Sequence, residues 1–76
     1  MKMIVNKITT FGKVRQGSLF ICGDTLALKS EYATIKATNE RQEDAYIVGS
    51  GEYFWGGAST VKDRDELKVV EVEIKF

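Results

Sequence analysis

The tract Ser18-Leu19-Phe20-Ile21-Cys22-Gly23-Asp24-Thr25-Leu26-Ala27-Leu28-Lys29-Ser30 decides how this chain is read. Two short apolar runs flank a Gly-Asp pair, which is the composition of a two-residue hairpin turn. That turn sets Cys22 opposite Thr25, Ile21 opposite Leu26, Phe20 opposite Ala27 and Leu19 opposite Leu28. Side chains alternate along a strand, so one face carries Leu19, Ile21, Leu26 and Leu28. The other carries Phe20, Cys22, Thr25, Ala27 and Lys29. Both faces are largely apolar, and a strand pair of that kind needs cover on both sides. A chain of 76 residues has little cover to spare. A second subunit is the expected source, and Phe20, Cys22 and Ala27 are the candidate oligomer face.

Outward from the hairpin, Phe11 and Val14 stand three apart in the connector before it, which suits one helical turn that plugs a core. Met3 to Thr9 reads as a first strand, with Met3, Val5 and Lys7 on one face and Ile4 and Ile8 on the other. Glu31 to Glu43 is polar and reads as a loop in which Thr34 to Ala37 could continue the strand. Ala45 to Val48 and Glu52 to Trp55 read as a second hairpin about Gly49-Ser50-Gly51, with two registers open. Lys62 to Leu67 is a charged or single helical turn, with Ser59 or Thr60 as its cap. Lys68 to Phe76 is a terminal strand in which Val70, Val72, Ile74 and Phe76 alternate with Glu71, Glu73 and Lys75, the pattern of a half-buried strand with a charged outer face. Glycine makes the turns, since the chain has no proline. Five or six short strands with one-turn plugs predict a single mainly-β domain over residues 1–76, a small barrel that is SH3-like in preference to OB-like.

Composition narrows the function classes. One cysteine and no histidine leave no internal disulfide and no set of four zinc ligands. Cystine-poor small domains fit a reducing compartment, so a cytoplasmic location is expected. No apolar run reaches the roughly 18–20 residues that span a bilayer, and Met1 to Asn6 is too short for a signal-peptide core. Eleven basic and eleven acidic residues give no net charge, which argues against a non-specific nucleic-acid binder. Lys2, Lys7, Lys13 and Arg15 precede the first acid, Asp24, while acids dominate the middle. That asymmetry allows opposite ends to attract, either within one chain or between copies.

Little in the sequence points to catalysis. Without histidine, Ser-His and Cys-His nucleophiles are excluded. Cys22, at a hairpin end among apolar residues, reads as a packing thiol. Gly49-Ser50-Gly51 lacks the lysine of a phosphate loop, and Glu52 beside it would repel phosphate. Tyr53-Phe54-Trp55 is the tract with most to say. A strand sends Tyr53 and Trp55 to one side and Phe54 to the other, so either side could be core and the other a platform for a partner or a stacked base. Gly56 and Gly57 behind it permit close backbone approach. The candidate binding residues are therefore Tyr53, Phe54, Trp55, Gly56 and Lys29, the last from a basic set with Lys7, Lys13 and Arg15.

The run Phe11-Gly12-Lys13-Val14-Arg15-Gln16-Gly17-Ser18-Leu19-Phe20 forms an F-x-x-[LV]-x-x-G-x-x-F opening. Ala45-Tyr46-Ile47-Val48-Gly49-Ser50-Gly51-Glu52 and Phe54-Trp55-Gly56-Gly57 follow it. This order resembles small proteins encoded by bacteriophages and prophages, over most of Phe11 to Val72. The resemblance implies a phage setting, a small barrel and no particular reaction. Phages use many short non-catalytic proteins to bind host factors or blunt host defences. The expectation is thus a non-catalytic accessory protein without cofactor, acting as a homo-oligomer on a host protein in the host cytoplasm. A barrel that captures a nucleotide-like ligand or nucleic acid is the alternative, and a minor virion structural protein is a third reading.

Overall fold

The Gly23-Asp24 turn closes as the composition demands, with Gly23 at φ +59°. In the computed structural model, which describes residues 3–75 and side chains between 6 and 73, strands β2 (Leu19–Cys22) and β3 (Thr25–Ile35) pair antiparallel in the expected register, from Cys22–Thr25 to Leu19–Leu28. The remaining strands are β1 (Met3–Thr10), β4 (Arg41–Ile47) and β5 (Lys68–Lys75). All five form one antiparallel sheet in the order β1-β5-β2-β3-β4. β1 and β5 are rich in β-branched residues and pair over their whole length, Met3–Lys75 to Thr10–Lys68.

The sheet is open. Among the described residues no ladder joins β1 to β4, so the strands do not close on themselves as the expected barrel would. The inner face is capped by other means. A single 3-10 turn, Phe11–Lys13, buries Phe11 and, just after it, Val14, as their spacing predicts. A five-residue helix α1 (Val61–Asp65) starts at Thr60, whose hydroxyl accepts from the Asp63 amide at 3.1 Å. Between these and the sheet lie the rings of Phe11, Phe20 and Phe54, with centroids 5.0–5.5 Å apart. Val14, Ala27, Ala45 and Val69 complete that cluster, with Cys22, Ile47 and Leu67 packed against it.

Three expectations change. The polar stretch Glu31 to Glu43 is not a loop: β3 runs on to Ile35, turns over residues 36–40 with Asn39 at φ +65°, and returns as β4. Its polarity belongs to a two-stranded arm that is solvated around its tip, and a register shift between Lys29 and Ala33 sets the arm off from the sheet. The second hairpin shrinks to an isolated bridge between Tyr46 and Tyr53, because the glycine-rich turn leads into an irregular segment rather than a strand. Finally, β5 faces the opposite way. Val69 and Glu71 point inward and are buried, while Val70 and Val72 stay half-buried on the outer side. Phe76 lies outside the described residues.

Candidate functional site

The sequence-predicted binding residues come together, but in the interior. Phe54 is the core member of the aromatic tract, packed against Phe11 and Phe20. Tyr53 and Trp55 are half-buried, and both lean on Arg64 of α1. Arg64 is fully buried, with its guanidinium 4.6 Å from the Phe11 ring centre, 5.0 Å from Trp55 and 5.4 Å from Tyr53. It donates to the Tyr53 hydroxyl and the Phe54 carbonyl, both at 3.0 Å, and to the Glu43 carbonyl. Weak hydration and a flat fork make arginine the cation best suited to such a place. The aromatic platform is therefore already occupied by the chain's own cation.

Lys29 is likewise interior, at 1% exposure. Its Nζ donates to the Phe11 carbonyl at 2.8 Å, sits 2.9 Å from the Glu43 carboxylate and lies 4.8 Å from the Phe11 ring centre. It ties the plug to β4 and is not offered to a ligand. Gly56 has φ +62°, and a Cβ there would come within 2.5 Å of Leu67 Cδ1 and 2.8 Å of Phe54 Cζ. Its close approach serves packing of the chain itself. Phe20 and Ala27, expected on an oligomer face, are fully buried in the core, and Cys22 is half-buried against it. That side of the hairpin finds its cover within the chain, from the 3-10 turn and the segment around Phe54.

The other side does not. The ladders align Ile8, Val70, Ile21 and Leu26 in one row across β1, β5, β2 and β3, and the Val48 amide donating to the Leu26 carbonyl extends it. A second row runs Asn6, Val72, Leu19, Leu28 and Tyr46, from β1 to β4. Ile8 is 83% exposed, and Ile21, Leu26, Leu28, Tyr46 and Val48 are all exposed for apolar residues. Neither row contains a charged side chain. A shallow groove of about 210 Å³ is lined by Ile8, Ile21 and Val70 together with Lys68. The two-sided apolarity of the hairpin is legible in the sequence; which side the rest of the chain would cover is not.

Two charged features border this architecture. Arg15 lines a groove of about 380 Å³ at the start of β2. Its Nε lies 2.9 Å from Glu71 and its Nη2 2.8 Å from Glu73. Hydrogen bonds to Glu71 and Glu73 raise the Arg15 pKa above its ordinary value, so it is bound to carboxylates rather than presented to an anion. Asp65, at the end of α1, has Oδ1 buried without a partner. Burial pushes its carboxyl pKa up, and the nearby Arg64 charge only partly opposes this.

No family model matches the chain, and no curated protein or solved structure does either. Among the described residues no helix is long and apolar enough to cross a membrane.

Proposed function

We propose that the chain is a non-catalytic binding protein of the phage or prophage accessory type, and that it acts through the open face of its sheet. One observation carries the reading: the inner face is packed by the chain's own plugs, while the outer face stays apolar from β1 to β4. An antiparallel sheet with one solvated face ordinarily alternates apolar and polar residues. Small soluble proteins rarely leave a wider apolar patch uncovered unless it meets something. The phage setting rests on the resemblance of the Phe11–Phe20 and Ala45–Gly57 runs, and a host factor is the partner such proteins usually take. The nucleotide alternative has less support, because Tyr53 and Trp55 are stacked on Arg64 and Lys29 is buried in an ion pair.

The test is capture from a bacterial lysate by immobilised chain, comparing the wild type with Ile21→Glu, which places a charge in the middle of the face. A protein retained by the wild type and lost by the folded variant is the expected outcome. Equal retention by both would move the binding surface elsewhere.

A further inference from the structure

We infer that a second copy of the chain covers the open sheet face, the two sheets stacking through their apolar rows as in a β-sandwich. This rests on the reading of that face as a contact surface and puts a second copy there in competition with a host factor. Three observations favour a second copy. The first is area. Six exposed apolar side chains, Ile8, Ile21, Leu26, Leu28, Tyr46 and Val48, spread across the two rows from β1 to the end of β4, a continuous apolar area of the kind that the centre of a subunit interface buries. The second is charge. A twofold contact sets a patch against itself, so a patch of one sign would repel its copy. These rows hold no charge, the one cation lining the groove beside them being Lys68, and the whole chain balances eleven basic against eleven acidic residues. The third is relief. Ile8 stands proud at 83% exposure beside a groove of about 210 Å³, with room for a branched aliphatic side chain. A surface that carries both a projection and a recess can interlock with its own copy. Stacked sheets sit about 10 Å apart with side chains interdigitated, which is the separation that aliphatic rows of this kind fill.

Such a dimer leaves the β3–β4 arm outside the contact. Tyr32 and Ile35 on that arm are 76% and 59% exposed, so they stay available to a different partner.

Light scattering on purified chain between about 1 and 100 µM tests the inference. The expected mass is twice the 8.5 kDa of the chain. Ile21→Glu should weaken the dimer at least tenfold while keeping a native near-ultraviolet spectrum from Trp55. Ile8→Glu is the second variant: the residue is so exposed on an edge strand that folding does not depend on it, and it too should favour monomer. A wild-type dimer that both folded variants leave intact would overturn the placement. A monomeric wild type whose capture of a lysate protein is lost in Ile21→Glu would overturn the second-copy occupant and keep the contact surface. A monomer whose capture ignores the substitution would overturn both.

Discussion

Arg64 shows how a single residue can hold the fold together and stay invisible in the sequence. In the sequence it is one charge in Lys62-Asp63-Arg64-Asp65-Glu66, a run that reads as solvated. In the structure it is fully buried, stacked on the Phe11, Tyr53 and Trp55 rings, with Nη1 and Nη2 on two carbonyls and a phenol and Nε buried without a partner. A buried cation of this kind is stabilising only while its partners are in place, since the exposed alternative is fully hydrated. Lysine cannot repeat the arrangement, because it has no plane to stack and no fork to span the carbonyls. Arg64→Lys should lower unfolding stability by about 2–4 kcal/mol, read from the urea midpoint. A change within experimental error would show that the cage is incidental. Asp65 beside it makes the opposite contribution. Its folded pKa is raised, so the folded chain binds this proton more tightly than the unfolded chain does. Stability therefore rises as pH falls through the folded pKa, and the gain is complete below the ordinary aspartate value. Asp65→Asn should be more stable than the wild type at neutral pH, and the difference should shrink on acidification through that window. A difference independent of pH would mean that the carboxyl is not the source.

At the scale of elements, what was legible followed from local chemistry. The Gly23-Asp24 turn dictates the β2–β3 register through turn geometry alone, and that register is the one observed. The Phe11 and Val14 plug follows from spacing, and the helix cap, open between Ser59 and Thr60 in the sequence, falls on Thr60. The misreadings of facing share one cause. For β5 and for the hairpin's supposed oligomer side, the side that the rest of the chain covers is decided by residues distant in sequence. β5 alternates cleanly, yet Val70 and Val72 face outward because Glu71 is claimed by Arg15, 56 residues away in the chain. The aromatic tract could face either way until Arg64 took the Tyr53 and Trp55 side. Gly56 makes these element contacts testable. It combines positive φ with a close approach to Leu67 and Phe54, where no side chain fits without displacement. Gly56→Ala should cost about 2–4 kcal/mol, from left-handed strain together with overpacking. Thermal melts showing a loss below about 0.5 kcal/mol, the range of a neutral surface change, would mean the segment repacks freely.

For the molecule as a whole, the balance between core and open face sets the last expectation. The core cluster of buried apolar side chains is small, and no disulfide or histidine-based metal site supplements it. Domains of this size are marginal when they fold alone. If two copies stack through the outer rows, the interface belongs to the folding free energy, and stability must depend on protein concentration. For a dimer unfolding to two chains, a hundredfold rise in concentration stabilises the assembly by about 2.7 kcal/mol, or about 1.4 kcal/mol per chain. With a melting response of roughly 4–8 °C per kcal/mol for a domain of this length, Tm should rise by about 5–10 °C between 1 and 100 µM. Ile8→Glu supplies the control. Its side chain makes little intrachain contact, so it removes the association and leaves the monomer's own stability nearly untouched. The variant's Tm should be flat with concentration and should lie below the wild-type curve throughout the range, with the gap narrowing toward the dilute end. A wild-type Tm that is equally flat across the range would show that the small inner core carries the fold by itself, and that the apolar rows meet their partner only after folding is complete.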